Sequence, residues 1–333
     1  MNLRGSNTGV SGHVATQQMA AGDKTAKPLH MEAGSRASIP WFDLGILYAI
    51  LIAAALADLV IVLWEGFQVV PGGLWNDTAF ALLFIAVGVF YAATGRSSSV
   101  AALLFVVASL VLGGPVVLVL DFVTKAIGSP FADPALAAWD QRLGLDWIAY
   151  ERWFSGHPTL SLSLGVIYSA STLVMLIALV ALGFIGDLRR MVRLAIAGAL
   201  TLIASIVIGG FLPAVGPHRF YGVDDGGKAF WVDTIMRVVT EQPHLIVLDG
   251  KQPPLTTFPS FHTTLAVLAT IACCRIPRFG IVFGLFNLCW AFAIPVWGSH
   301  YFTDMLAGGV IAVLGYAIAH LPGKRSAMKA GAR

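Results

Sequence analysis

The sequence predicts an all-α, polytopic transmembrane helix bundle of about eight spans. Hydrophobic residues make up 57% of the 333 residues, charged residues only 12%, and the mean hydropathy is +0.79. A soluble domain of this length needs far more charge on its surface. Apolar runs of about 20 residues, the length that crosses a hydrocarbon core, recur along the chain. These observations exclude a soluble globular fold and predict an integral membrane protein.

The predicted spans follow the apolar runs in order, and each ends where charge, Pro or Gly interrupts the run. The sixth run is shorter than the others, which is typical of a helix that begins part-way into the membrane at a site. The first 40 residues are rich in Gly, Ala, Ser and Thr and predict a disordered tail. The eight spans are predicted at about 44–64, 79–95, 98–120, 159–186, 193–212, 260–274, 280–298 and 300–320.

The basic residues predict the orientation of the bundle, because Lys and Arg close to span ends are retained on the cytoplasmic side. With the N-terminus inside, the basic loops at Arg96, 189–193 and 275–278 are all cytoplasmic, and this side holds most of the 21 Lys and Arg residues. The long segments 121–158 and 213–259 then lie outside. We expect a bacterial inner (plasma) membrane protein with both termini in the cytoplasm.

Three polar clusters stand at the outer ends of the later spans, at residues 216–221, 259–262 and 298–304. His300 and Asp304 are spaced one helical turn apart, so both are expected on the same side of the last span. The carboxylate can fix one imidazole nitrogen and leave the other free to attack. A phosphoryl group is the target that suits a histidine nucleophile. The pattern therefore predicts a phosphoryl-transfer site on the extracytoplasmic face.

The other polar residues of this outer face are expected to supply a proton and to bind the phosphate. His262, in the first turn of the short helix, is the candidate general acid for the departing alkoxide. Ser260 is a good N-cap, and the free amides beside it favour an anion. Arg219 offers a guanidinium fork, and Lys251 is a second candidate cation in an unconstrained loop. His218 is either a substrate contact or a part of its loop.

The stretch Trp139–Trp147 alternates aromatic and charged residues and predicts an amphipathic element on the outer surface. Such an element either forms an interfacial belt or helps to shape a path for lipid. The three Cys residues fall inside apolar runs, so neither a disulfide framework nor a metal site built on thiolates is predicted.

Two of the polar strings resemble signature motifs of a known family. PSFH at 259–262 and SHYFTD at 299–304 resemble the second and third motifs of the PAP2 (type 2 phosphatidic acid phosphatase) superfamily. Within it, the second string and the preceding 216–221 are most similar to the inositolphosphotransferase branch, which includes fungal inositol phosphorylceramide synthase. The resemblance is strong over 213–320, weaker over 98–212 and absent before that.

The resemblance implies His300 as the nucleophile, Asp304 as its orienting partner and His262 as the general acid, with Arg219 and the Ser260 turn binding phosphate. It implies a lipid phosphatase or phosphotransferase with a PAP2-like core of six helices, the third to the eighth, and with no metal or other cofactor. The expected partners are a lipid phosphate or phospholipid substrate, water or an acceptor alcohol, and the membrane, with no nucleic acid.

The expected domain organisation follows from the spans and the resemblance. It comprises a disordered cytoplasmic tail at 1–40, two extra N-terminal transmembrane helices at 41–97, a PAP2-like catalytic transmembrane domain at 98–322 and a basic cytoplasmic tail at 323–333.

The sequence departs from the usual phosphatase pattern of the family at two positions in these motifs, and the early Lys of the first motif has no match at the expected distance from Arg219. Ile294 stands six residues before His300, where the third motif usually has an Arg. Phe261 replaces the usual Gly before the general acid. The missing cation fits the inositolphosphotransferase branch better than the plain phosphatases.

Two other classes of protein remain open. A polytopic lipid transporter or flippase without catalysis also needs many spans and few intramembrane charges, although transport sites lie near the midplane. A metal-dependent membrane hydrolase could use His218, His262, His300 and Asp304 as ligands. Chelation separates the metal enzyme from the other classes, and phosphate release by purified protein separates the enzymes from a transporter.

Overall fold

The computed structural model describes residues 38–170, 172–224, 231–248 and 253–321. Lys251, most of the predicted N-terminal tail and the predicted C-terminal tail lie outside the described residues. The helices and strands, in chain order, are α1 (Trp41–Glu65), β1 (Gln68–Val70), α2 (Leu74–Ala93), α3 (Ser98–Lys125), α4 (Asp133–Arg142), α5 (Trp147–Ser155), α6 (Pro158–Ser169), α7 (Thr172–Phe184), α8 (Leu188–Phe211), α9 (Pro217–Tyr221), α10 (Val232–Glu241), β2 (Leu245–Val247), α11 (Phe261–Cys273), α12 (Phe279–Trp297) and α13 (Phe302–Ala319).

The described part of the chain is an all-α polytopic bundle, as predicted. Six of its helices, α1, α2, α3, α8, α12 and α13, are long and apolar enough to cross a membrane. The pair α6 and α7 passes the same test together but is bent by 56° at the break between them. Helix α11, with 13 residues, is a shorter apolar helix. These six spans, the broken pair and α11 stand where eight spans were predicted.

Helices α3 and α8 form the centre of the bundle. Helix α3 packs against α1, α2, α7 and α8, while α8 also packs against α11 and α13. Small and medium side chains fill the interface, among them the fully buried Ala102, Val106, Leu194 and Ala197. Small residues let helix backbones approach closely in a membrane, where van der Waals packing holds helices together.

The two ends of the bundle carry different chemistry. Helix α8 ends, and α11 and α13 begin, at one end, which we call the site end. The start of α8 and the last turns of α11 and α13 form the opposite end. The short helices α4, α5, α9 and α10 cover the site end, and β1 and β2 pair there in parallel, with Gln68 opposite Leu245. The fold therefore gathers its irregular loops on the face that carries the polar motifs.

The structure corrects the sequence prediction in three places. The single span predicted at 159–186 is two helices that meet at a bend, in a stretch rich in Ser and Thr, whose hydroxyls compete for backbone groups. The last helix begins at Phe302, so His300 lies in the preceding loop instead of on the helix. The stretch Trp139–Trp147 is not one surface element: it crosses from α4 to α5, and Trp147 is buried.

Candidate active site

A carboxylate from α4 fixes the first turn of α13. The buried Asp140 accepts a hydrogen bond from the Phe302 amide at 3.0 Å, from the Thr303 amide at 2.8 Å and from the Thr303 hydroxyl at 2.5 Å. A carboxylate at this position accepts hydrogen bonds from amides that a helix start leaves without partners. The positive end of the helix dipole also stabilises its negative charge. Helix α4 therefore determines where the segment with the catalytic candidates begins.

A second carboxylate of α4 connects two loops of the site. Asp133 accepts hydrogen bonds from the amides of Val215 and Gly216, at 3.0 and 2.9 Å, and from the Tyr301 hydroxyl at 3.0 Å. Burial raises the pKa of Asp133 above its usual value, and these hydrogen bonds oppose that shift. The loop before α9 and the start of α13 therefore meet at one side chain.

The structure brings His300 and Asp304 into contact. The His300 Nδ1 atom lies 3.3 Å from Asp304 Oδ2, which also accepts a hydrogen bond from the Tyr301 amide at 3.1 Å. The exposed fraction is 3% for His300 and 0% for Asp304. Burial lowers the pKa of His300 well below its usual value, and a hydrogen bond to the Thr257 backbone partly opposes this. Burial therefore favours the neutral ring, and the tautomer with its proton on Nδ1, facing Asp304, leaves the Nε2 lone pair for attack.

His262 stands beside this pair in the first turn of α11. The N-cap Ser260 accepts a hydrogen bond from the Thr263 amide at 3.4 Å, and its carbonyl lies so close to Gly308 that a Cβ there would collide with it. The ring centroids of His262 and His300 are 5.9 Å apart. The Tyr168 hydroxyl oxygen lies 3.3 Å from His262 Nε2. Both imidazoles can therefore reach one phosphate group at the junction of α11 and α13.

The short helix α9 presents His218 to the site and Arg219 to the surface. His218 is buried, its Nδ1 lies 3.0 Å from the Ser299 hydroxyl oxygen, and its ring meets Trp147 edge-on at 4.7 Å. Because Ser299 precedes the nucleophile candidate, His218 belongs to the same cluster. The side chain of Arg219 is exposed, and its role in binding phosphate stays a prediction.

A buried ion pair near the end of α3 holds the backbone that leads to this cluster. Asp121 accepts a hydrogen bond from the Leu255 amide at 2.7 Å and from the Thr256 hydroxyl at 2.6 Å. Lys125 Nζ lies 3.0 Å from Asp121 Oδ1 and 2.9 Å from Thr256 Oγ1. The side chains of Lys125 and Asp121 are 0% and 5% exposed. We call residues 255–257 the strap.

The strap passes from α3 to the nucleophile candidate. Its last residue, Thr257, is the one whose backbone hydrogen-bonds the His300 ring. Its path over α8 depends on Gly209, because a Cβ at that position would lie 2.5 Å from the Phe258 carbonyl oxygen. The ion pair of α3 is therefore connected to His300 by the short backbone segment 255–257.

Sequence reasoning missed the residues that hold this site together. Two of them, Asp121 and Lys125, are charged residues four apart near the end of an apolar run. That pattern could have indicated a buried ion pair, because an unpaired ionisable group in a membrane span has a high free-energy cost. The others gave no comparable signal, since their partners are distant in sequence. The missed residues are Asp121, Lys125, Asp133, Asp140, Tyr168 and Ser299.

Within the described ranges, no group of three or more His, Cys, Asp or Glu side chains is arranged to hold a metal ion. The chemistry available to the cluster is that of the His218, His262 and His300 imidazoles, the buried Asp304 carboxylate and the hydroxyl groups around them. This combination suits nucleophilic and acid–base catalysis on a phosphate ester.

Residues 134–318 match a family model described as the PAP2 superfamily. The matched region includes Asp140, His218, His262, His300 and Asp304 and exceeds half of the chain. The chain matches no curated protein and no solved structure.

Proposed function

The chain belongs to the PAP2 superfamily, and from that premise we propose that it is a lipid phosphatase or phosphotransferase that works through a phosphohistidine at His300. Membership supports a phosphatase-type activity on lipid phosphates in the membrane. The observation that carries the proposal is the juxtaposition of the His262 and His300 rings, 5.9 Å apart, with Asp304 on the Nδ1 side of His300.

In the first step, Nε2 of His300 attacks the phosphorus atom of the lipid phosphate. A P–N bond forms as the P–O bond to the lipid alcohol breaks, and His262 donates a proton to the departing alkoxide. Asp304 stabilises the positive charge that develops on the His300 ring. The exposed Arg219 is the cation proposed to bind the phosphate oxygens, since a guanidinium on a short surface helix can turn toward a bound anion.

In the second step, water or an acceptor alcohol attacks the phosphohistidine. The P–N bond breaks, the phosphoryl group passes to the attacking oxygen, and His262 accepts the proton of the nucleophile, which restores both rings. With water the product is inorganic phosphate, and with an alcohol it is a new ester. If the donor is a phosphodiester, His300 carries the phosphoryl group together with its remaining substituent.

The transferase version is favoured by one specific departure from the phosphatase pattern. Ile294, at the position of the usual Arg of the third motif, is fully buried in α12, so this position gives the site no cation. The strings at 216–221 and 299–304 also resemble the inositolphosphotransferase branch. We therefore propose an inositol-type or other headgroup alcohol as the acceptor to test first.

The catalytic end is proposed to face the extracytoplasmic side of a bacterial plasma membrane. The basic residues at 189–193, in the first turns of α8, and the basic loop at 275–278 lie at the opposite end of the bundle, the end that the charge rule assigns to the cytoplasm. In a cysteine-free background, Glu65→Cys at the site end should react with an impermeant maleimide in intact cells, whereas Arg96→Cys should react only after permeabilisation. The reverse pattern would refute the orientation.

The deciding experiment uses purified full-length protein with a panel of lipid phosphates and phosphodiesters, with and without acceptor alcohols, scored for free phosphate and for new lipid. Substrate labelled on phosphorus should leave acid-labile label on the wild type. His300→Ala should lose both label and turnover while it stays folded. The matched control is His157→Ala, since His157 is exposed and lies outside the site. Near wild-type turnover in His300→Ala would overturn the mechanism.

The same assay separates the other two classes. Full activity in EDTA is expected, and loss of activity restored by added zinc would favour the metal-dependent hydrolase. Failure of the purified protein to release or transfer phosphate from any member of the panel would favour a transporter.

A further inference from the structure

A second polar cavity lies at the opposite end of the bundle, far from the histidine pair. It has a volume of about 420 Å³ and opens between the start of α8 and the last turns of α11 and α13. Its polar lining is dominated by arginine side chains from two helix ends, the start of α8 and the end of α11. The lining includes Arg189, Arg190, Arg193, Arg275, Tyr316 and His320. We call this cavity the arginine pocket.

The ion pairs that the described residues form at the arginine pocket orient its arginines without neutralising them. Arg190 lies 3.0 Å from Asp187, and Asp43 lies 3.4 Å from Arg193 and 3.7 Å from Arg189. Two carboxylates therefore face three arginines among the described residues. Arg275, at the end of α11, adds a fourth guanidinium to the same pocket.

The positive charge of the arginine pocket is partly withdrawn from solvent. The side chains of Arg190 and Arg193 are only 21% and 20% exposed, and Arg190 Nη1 lies 3.4 Å from the Ala272 carbonyl oxygen. The field reaches the end of α13, where burial and the neighbouring Arg193 and Arg190 lower the pKa of His320. A partly desolvated group of cations attracts an anion more strongly than exposed ones do, because the local dielectric is lower.

We propose that the arginine pocket binds a phosphate anion, and that its occupant is the phosphate of an anionic membrane lipid headgroup. Basic pockets between transmembrane helices on the cytoplasmic side bind such headgroups. The preference for Arg on the cytoplasmic side explains why arginines occur near these span ends. It does not explain why arginines at the start of α8 and after α11 line the same cavity. The pocket stands at the end of the bundle away from the histidine pair, so this site is distinct from the catalytic one and does not depend on its assignment.

The test measures lipid binding to the delipidated full-length protein by native mass spectrometry. The probes are phosphatidylglycerol, zwitterionic phosphatidylcholine and inorganic phosphate. The wild type should bind phosphatidylglycerol in preference to phosphatidylcholine. Arg275→Gln and Arg189→Gln should each weaken phosphatidylglycerol binding about fivefold, and the double variant about 20-fold or more, since each basic residue near an anionic headgroup contributes a comparable amount.

The matched control is Arg96→Gln, because Arg96 is exposed at the same end of the bundle and does not line the pocket. The unfolding midpoint of each variant, measured without lipid, shows whether the variant is folded. Binding of inorganic phosphate with no preference for phosphatidylglycerol over phosphatidylcholine would overturn the lipid occupant and assign the pocket to free phosphate. No binding of either anion, an unchanged lipid preference in the double variant, or an equal loss in Arg96→Gln would overturn the proposal.

Discussion

Replacement of Asp121 by Asn is expected to destabilise the protein by about 3–5 kcal/mol, the cost of removing one partner from a buried ion pair. The substitution keeps the shape of the side chain but removes the charge that faces Lys125, whose side chain is 0% exposed. The amide oxygen of Asn can still accept from the Leu255 amide or the Thr256 hydroxyl. The loss is therefore dominated by the uncompensated ammonium group.

Two companion variants isolate the ion pair. Lys125→Met leaves Asp121 with its hydrogen bonds from the strap, so a smaller loss of about 1–3 kcal/mol is expected. The double variant Asp121→Asn with Lys125→Met has no unpaired charge and should be more stable than Asp121→Asn alone. The cycle should therefore give a coupling energy that exceeds the loss in Lys125→Met alone, up to about 3 kcal/mol.

The assay follows unfolding of the purified protein in mixed micelles by the fluorescence of its nine Trp residues, and activity at a temperature where every variant is folded. Because the strap carries the Thr257 contact to His300, kcat should fall more than KM changes. A displacement of about 1 Å at the reacting group can cost about 100-fold in rate. A wild-type kcat in folded Asp121→Asn would show that the strap does not position His300.

The exposed Asp233, in the first turn of α10, provides the matched control. Asp233→Asn should leave both the unfolding midpoint and kcat unchanged. The reasoning is refuted if Asp121→Asn resembles this control in stability, or if the double variant loses as much as the two single variants together.

Three further predictions concern the residues around His300. Asp140→Ala should lower kcat and destabilise the fold by about 1–3 kcal/mol, because three donors at the start of α13 lose their acceptor; an unchanged unfolding midpoint would contradict this. Gly298→Ala should lower kcat in a folded protein, since its Cβ would lie 2.8 Å from His300 Cδ2 and 3.0 Å from the Tyr168 hydroxyl oxygen; wild-type kinetics would count against that geometry. The acid limb of the pH profile of kcat/KM should lie below pH 6.5. Burial lowers the pKa of His300 from 6.5, so the neutral ring persists as the pH falls. An acid limb above pH 6.5 would exclude a buried His300 nucleophile.

The sequence was sufficient for the helical architecture and for the pairing of the motif residues. Apolar runs report spans directly, because the bilayer demands a fixed length of apolar helix. The strings around His262 and His300 were expected at one face, and the structure brings their rings together. The His300 contact with Asp304 was expected from helical spacing, yet it is made from the loop before α13.

The supporting residues could not be predicted, because their contacts join distant parts of the chain. Asp140 lies in a stretch that resembles a surface helix, and only the folded chain shows its carboxylate at the start of α13. Likewise, no local pattern shows that His218 and not Arg219 points inward, since both occupy one turn of α9. Side-chain direction there depends on how Gly216 passes Ser299, where a Cβ would collide.

Strand β1 lies between the first two helices, whereas its partner β2 comes shortly before the strap. A chain shortened to begin at α3 would leave the backbone groups of Leu245–Val247 without this partner, and Ile246, now 1% exposed, would lose part of its cover. The segment from α1 to α2 therefore contributes, through β1, to the packing at the site end. The family match begins only at residue 134, so it leaves out a strand on which the packing at the site end depends.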